Sequence, residues 1–301
     1  MTNARITAPD VLARKARVHA GIDDPAEPLV MVTAYDAPSA RTVDAAGADM
    51  ILVGDSLAMV VLGYDDTLQV TTADMAHHVG AVARTRPNAL VVADLPWLSY
   101  HVNREETVRN AAALVRAGAG AVKLEGGRKR IDAVEAILET EIPVMGHIGL
   151  TPQSIHALGG FKVQGKELDA AQQLTDDAIA LAEAGCFGIV LECVPDAVAR
   201  MITESVGIPT IGIGAGRHCD GQVLVWHDIL GFEAPGHRRP KFVRTYAELE
   251  RDATSVIEQF CADVREGTFP SSAETYHMTD RMAEALDLYG VTVVTEPELT
   301  Q

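Results

Sequence analysis

Eight short runs of β-branched and other apolar residues, each followed by a stretch with helical spacing, constrain this chain more than any other feature. They are LVMVTAYD from Leu29, DMILVGD from Asp49, ALVVADL from Ala89, GAVKLEG from Gly120, IPVMGHIG from Ile142, CFGIVLE from Cys186, IPTIGIGAG from Ile208 and QVLVWHD from Gln222. Near-continuous apolar character is what a strand needs when both of its faces are covered. Strand alternating with helix gives βα units and a parallel sheet. Eight such units point to a closed (β/α)8 barrel of the TIM type, rather than to an open doubly wound sheet.

The intervening segments carry helix signals. Glu105 to Ala117 places Val108, Ala112 and Val115 on one face and runs into Gly118, where a left-handed stop is expected. Ile131 to Glu139 and Asp176 to Ala184 follow the same logic, the latter stopping at Gly185. Pro195 suits the first turn of a helix after the sixth strand. Phe242 to Glu266 reads as one long helix added after the barrel and packed against it, and GGFKVQGK from Gly159 as an active-site loop. The whole of 1–301 is expected to form one barrel domain with extra C-terminal helices. A loosely ordered tail is expected over about 277–301.

Composition narrows the function. With 42 acidic against 25 basic residues, the formal net charge is −17, which repels nucleic-acid backbones and anionic membranes. The four cysteines, Cys186, Cys193, Cys219 and Cys261, form no C-x-x-C pair and read as free thiols of a reducing cytoplasm. The N-terminus has no apolar signal core, and no apolar run reaches the ~20 residues of a bilayer span. A cytoplasmic protein with small-molecule substrates, and with neither nucleic acid nor membrane as partner, is expected.

Barrels of this kind place chemistry at the C-terminal ends of their strands. Here those ends carry Asp36, Gly54-Asp55-Ser56, Asp94, Lys123 with Glu125, His147 and Glu192, whereas the opposite ends are nearly free of charge apart from Asp49. Lys123 and Glu125 are two apart and share a face. Asp55, Asp94 and Glu125 on one patch would be unfavourable without a cation. An all-oxygen ligand set with room for water and substrate suits Mg²⁺, and Lys123 would hold a substrate carboxylate. The competing reading has each acid capping the helix that follows it or hydrogen-bonding a loop.

Weaker signals have ordinary readings. His77 and His78 belong to a helix, and the GIGAG turn lacks the full dinucleotide fingerprint. Cys193 is expected to face away from Glu192 as a packed thiol. Met59 to Leu62 are lid, interface or core residues, and Trp97 and Tyr100 line a pocket or pack.

The blocks VGDSLAMVVLGYDDTLQVT, ADLPWLSY, AVKLEGG, GHIGLTPQSIHALGGFKVQGK, VLECVP and GIGAGRHCDGQVLVWHDILG resemble the ketopantoate hydroxymethyltransferase family from about Ala34 to Pro270. Ala58 and Gln69 depart from the glycine and proline expected there, and the tail beyond about Tyr276 lies outside the pattern. The resemblance implies a barrel of the phosphoenolpyruvate mutase/isocitrate lyase-like superfamily. It implies transfer of a one-carbon unit from 5,10-methylenetetrahydrofolate to 3-methyl-2-oxobutanoate, through a Mg²⁺-stabilised enolate, on the way to pantothenate. It further implies Asp55, Asp94 and Glu125 at the Mg²⁺ site and Asp55, Ser56, Asp94 and Lys123 at the substrate. Glu192 would be the proton acceptor, His147 the next candidate, and the assembly a homo-oligomer, a decamer. A lyase of the same superfamily is the nearest alternative, but its K-K-C-G-H loop is absent. A silent scaffold barrel is a second, against which stands the retention of every proposed site residue.

Overall fold

The computed structural model describes residues 5–19, 27–232 and 239–287. Each apolar run supplies one strand: β1 Leu29–Thr33, β2 Met50–Val53, β3 Leu90–Asp94, β4 Ala121–Glu125, β5 Val144–Gly149, β6 Gly188–Glu192, β7 Thr210–Ile213 and β8 Gly221–Leu224. All neighbours pair in parallel, and β8 returns to pair with β1, so the sheet is a closed eight-stranded barrel. The strands are shorter than the runs. The WHD of the eighth run is not strand but opens the helix Trp226–Leu230, and the glycine turn of the seventh lies beyond Ile213.

Side-chain alternation divides the barrel into an outer and an inner face. Outward residues such as Ile51, Val53, Val91, Val122, Leu124, Ile189 and Leu191 join the layer beneath the helices. Inward residues Met31, Met50, Leu90, Val92, Ala121, Met145, Val190, Ile211 and Val223 fill the lower interior. Ala8 and Val11, from the N-terminal helix Ala8–His19, join that inner cluster. At the same end, the buried Lys15 ammonium donates to the Thr203 carbonyl at 2.7 Å and meets Asp220 Oδ2 at 2.9 Å. Asp220 in turn accepts from the Thr210 amide at 2.8 Å. The lower end of the barrel is therefore packed and ion-paired, and the charge at its upper end lines a cavity.

The helices begin and end on the expected chemistry. Asn103 caps Arg104–Ala117, which stops on left-handed Gly118. The helix read from Asp176 starts earlier, at Leu168, and runs to Glu183. It buries Ala171, Thr175, Ala178 and Leu181 along one face.

Two compact units are distinguished, 1–248 and 249–301. The long C-terminal helix spans Leu249–Glu266, seven residues shorter at its start than the periodicity predicts. Residues 242–248 instead run as irregular chain in the first unit, where the Tyr246 amide bonds the Ile229 carbonyl at 2.8 Å. In the second unit, Val256, Ile257, Phe260 and Val264 are exposed, and Phe260 meets Phe269 edge to face. A helix covers Asp280–Asp287 within the expected tail, and 288–301 lie outside the described residues.

Candidate active site

The inward alternation that fills the lower barrel with apolar groups continues upward into charge. Leu90 and Val92 are followed on the same face by Asp94, Ala121 by Lys123 and Glu125, Met145 by His147, and Val190 by Glu192. Strand register sets Asp94 beside Lys123 and Glu125 beside His147. Asp55 and Ser56 enter from the loop after β2. All of these line one cavity of about 550 Å³ at the C-terminal end of the barrel.

The polar groups form a connected network. Lys123 Nζ lies 2.8 Å from Asp94 Oδ1 and 3.3 Å from His147 Nδ1. Asp94 Oδ2 accepts from the Asp55 amide at 3.1 Å. His147 stands between two carboxylates, with Nδ1 3.4 Å from Glu125 Oε1 and Nε2 3.3 Å from Glu192 Oε2. Tyr35 and Ser56 hydroxyls meet at 2.9 Å.

Sequence reasoning missed Gln153, the buried residue that ties these groups together. Its side-chain amide donates to Asp55 Oδ2 at 2.8 Å and to the Leu95 carbonyl at 2.9 Å, and its backbone amide donates to Glu125 Oε2 at 3.0 Å. Tyr100, whose hydroxyl donates to Gln153 Oε1 at 2.6 Å, fixes it from behind. The only sequence signal was a polar residue just past β5, in TPQS; its partners are 28 and 98 residues away. Asp228, also missed, lies in the cavity wall.

Other expectations resolve differently. Asp36 does not line the cavity; it caps the helix Ala37–Ala45 in a reciprocal pair with Ser39, as the capping reading has it. Cys193 does not simply face away from Glu192 but lines the same cavity. Its backbone takes a positive φ of 48°, which breaks strand alternation at the end of β6. Met59 and Val60 line the cavity, whereas Val61 and Leu62 are exposed. Trp97 is exposed and Tyr100 buried, and neither belongs to the wall. His78, on the helix Thr72–Ala83, is anchored to the Tyr35 carbonyl at 2.7 Å. From the glycine-rich loop, Phe161, Lys162 and Val163 reach the cavity.

Burial and crowding set the electrostatics. Burial, then the charges of Asp94 and Glu125, push the Asp55 carboxyl well above the usual aspartate range, only partly opposed by Lys123. Burial alone would lower Lys123, but Asp94, Glu125 and Asp55 raise it above an ordinary lysine. Burial and Lys123 likewise depress His147, yet Glu125 and Glu192 outweigh them and push it up to about 9. The site thus sets two buried cationic groups, Lys123 and His147, among four acids, Asp55, Asp94, Glu125 and Glu192, and is short of positive charge.

That shortage bears on whether a divalent cation fits. Among the described residues, no three His, Cys, Asp or Glu side chains converge closely enough to enclose an ion by themselves. Mg²⁺ does not require this, since it usually takes one or two carboxylates and completes its shell with water and substrate oxygens. Asp55, which is disfavoured as an anion where it stands, and Asp94 beside it are all-oxygen donors of the right kind. Glu125 is already held by Gln153 and His147, so it suits a role one water further out.

The description of the matching family model is ketopantoate hydroxymethyltransferase, and the match covers residues 18–272. This chain belongs to that family. Ketopantoate hydroxymethyltransferase relatives include 3-methyl-2-oxobutanoate hydroxymethyltransferase 2 of Bradyrhizobium diazoefficiens, 55% identical over 86% of this chain and 87% of its own. The Ignicoccus hospitalis 3-methyl-2-oxobutanoate hydroxymethyltransferase is 59% identical over 81% of this chain and 92% of its own. Solved structures share the fold of this family member at low identity. 2,3-Dimethylmalate lyase, described as a PEP mutase/isocitrate lyase superfamily member, superposes with a TM-score of 0.56 at 17% identity, covering 95% of this chain and 99% of its own. Phosphonopyruvate hydrolase, solved with oxalate and Mg²⁺, gives 0.55 at 13% identity, covering 95% and 97%.

Proposed function

We propose that this chain is a 3-methyl-2-oxobutanoate hydroxymethyltransferase that takes its one-carbon unit from 5,10-methylenetetrahydrofolate and forms 2-dehydropantoate for pantothenate synthesis. The observation that carries this reading is the meeting of Asp55, Asp94, Lys123, Glu125, His147 and Glu192 in one cavity, in a chain of this family. A 2-oxo acid needs three things to form a carbon–carbon bond at its branched carbon. Its carboxylate must be held, negative charge on its oxo oxygen stabilised, and a proton removed from the carbon.

Lys123 is placed to hold the carboxylate, as a buried cation at the cavity floor beside Asp94. Ser56, with its hydroxyl on the cavity wall, adds a hydrogen bond to the same substrate, and Asp55 and Asp94 adjoin it. Asp55 and Asp94 would hold Mg²⁺ directly and Glu125 through its outer shell. Bound there, Mg²⁺ supplies Lewis acidity toward the oxygens of the oxo acid. Glu192, less enclosed than the other acids, takes the proton. His147, pushed up to about 9 by Glu125 and Glu192, keeps its proton at neutral pH, with Nε2 3.3 Å from Glu192 Oε2. His147 therefore orients Glu192 and is a poor base itself.

Methylenetetrahydrofolate then supplies the electrophilic carbon, one water supplies the hydroxyl oxygen and tetrahydrofolate leaves; the protein's contribution is to position the donor over the carbon. No described helix is long and apolar enough to cross a membrane, and a cytoplasmic homo-oligomer, a decamer, fits the reading. The test is direct. Purified protein with 3-methyl-2-oxobutanoate, 5,10-methylenetetrahydrofolate and Mg²⁺ should form ketopantoate, detected by mass spectrometry, and chelation should stop it. Asp94→Ala should abolish Mg²⁺-dependent binding of the oxo acid in calorimetry. Absence of product from the intact protein with all three components would overturn the assignment.

A further inference from the structure

Outside the cavity, the segments after β3 and β4 bring together a group of basic residues that the proposed chemistry does not use. The run Arg128-Lys129-Arg130 is joined to β4 by Gly126 and Gly127. Arg128 is taken by Asp176 and Asp177. Lys129 and Arg130 have no ion-pair partner among the described residues. Both fold back over the end of β4. A Cβ at Gly126 would come 2.8 Å from Arg130 Cγ and 3.1 Å from Lys129 Cε, and this glycine holds a φ of +117°. Arg130 then lies over the Tyr100 ring, with its guanidinium carbon 5.6 Å from the ring centre. His101 packs against the same ring, 4.2 Å between centres. None of Tyr100, His101, Lys129 and Arg130 lines the cavity.

Two nitrogens of this group are buried without a hydrogen-bond partner, Arg130 Nε and His101 Nδ1. An arginine nitrogen can only donate, and a buried donor left unmade is costly. His101 does not meet that need. Burial first, then Arg130 and Lys129, hold its ring down to about 4, so at physiological pH it is neutral and has one N–H of its own to place. What the group lacks is an acceptor. An acceptor that carries negative charge would also answer the two unpaired cations. In a chain with a net charge of −17, such a cluster is not the product of a general excess of basic residues.

We propose that His101, Lys129 and Arg130 form a binding site for a small oxyanion, a phosphate or carboxylate group, separate from the catalytic cavity. An oxyanion offers several acceptors at once, enough for the Arg130 and His101 N–H groups together, with Lys129 adding charge. Arg130 and His101 are half-buried and Lys129 is exposed, so the site opens to solvent on the lysine side. It is not isolated from the chemistry. Tyr100 carries Arg130 on its ring, while its hydroxyl donates to Gln153 Oε1 at 2.6 Å and accepts from the Glu125 amide at 3.2 Å. An anion on Arg130 therefore sits one side chain away from the groups that hold Asp55 and Glu125, where an anionic metabolite can be sensed without entering the cavity. Binding uses charge and hydrogen bonds alone and makes no bond.

The probes are inorganic phosphate and acetate, titrated into the intact protein by calorimetry and followed at the His101 ring by NMR. At least one of them should saturate the wild-type protein. With that anion bound, His101 should titrate at a higher pH, because a neighbouring negative charge favours the protonated ring. Tighter binding of phosphate identifies a phosphate-bearing ligand, and tighter binding of acetate a carboxylate; either result supports the site. Arg130→Gln keeps a long polar side chain and should weaken binding about tenfold or more, the scale of a hydrogen bond to a charged group. Lys129→Ala, at an exposed position where folding is not at stake, should weaken it about two- to fivefold. Saturation by neither anion would overturn the proposal, as would a His101 titration that the anion leaves in place. Wild-type affinity in both variants would also overturn it, and would assign the anion to Lys123 in the cavity. These titrations need no turnover, so they decide the site whether or not the protein makes ketopantoate.

Discussion

In the proposed reaction a carboxylate takes a proton from carbon, and Glu192 is the residue assigned to it. It closes an apolar strand, touches His147 at 3.3 Å, and keeps 17% of its side chain accessible, so substrate can reach it. Glu192→Gln keeps the shape and removes the base. Exchange of the branched-carbon hydrogen of 3-methyl-2-oxobutanoate into deuterated water, followed by NMR without folate, should fall by about two to four orders of magnitude, while substrate binding persists. Exchange at the wild-type rate in that variant would move the proton to another group. Gln153 acts differently, through the acids it holds. Gln153→Ala releases Asp55 and Glu125 together, so the Mg²⁺ concentration for half-maximal activity should rise about 10- to 100-fold, the usual effect of losing an outer-shell partner. A Mg²⁺ titration checks it, and Gln153→Glu, which adds a further acid, should not rescue.

At the scale of elements, strand-end residues were legible because a parallel strand announces itself as an apolar run, and alternation then assigns a face to each residue. Asp94, Lys123, Glu125, His147 and Glu192 all follow from those two rules. Asp36 looked the same in the sequence but serves as a helix cap, because β1 ends three residues earlier, at Thr33, and the chain has already turned. Gln153 and the cavity-lining residues 239–242 were not legible, since they reach the site by chain routes that no local periodicity encodes. Cys193 was misplaced because its positive φ reverses the direction that alternation gives it. The start of the C-terminal helix was misplaced because residues 242–248 carry apolar groups for the cavity and for chain packing, not for a helical face. The N-terminal helix has a structural role that the sequence hid in a lone lysine. Lys15 is 1% exposed and neutralises Asp220 at the base of the barrel. Lys15→Ala should cost about 3–5 kcal/mol, the scale for orphaning one member of a buried pair, measured by urea unfolding of the purified protein. Loss below about 1 kcal/mol, the scale of an exposed pair, would mean that water reaches Asp220 without penalty.

At the scale of the whole molecule, exposed apolar residues suggest a partner. Val256, Ile257, Phe260 and Val264 lie at helical spacing on Leu249–Glu266 and are exposed. Multi-angle light scattering at micromolar concentration should show an assembly larger than a dimer, and Val256→Glu/Phe260→Glu should shift it to smaller species; a monomeric wild-type protein would refute this. One feature of the single chain also sets the traffic through it. Among the described residues, the barrel is filled below by Met31, Met50, Val92 and Met145 packed with Ala8 and Val11 of the N-terminal helix, so the catalytic chamber is closed at that end. Under the reaction proposed above, an acid seated at the bottom would enter before a bulky donor settles across the mouth, and its enlarged product would leave after the spent donor: first in, last out.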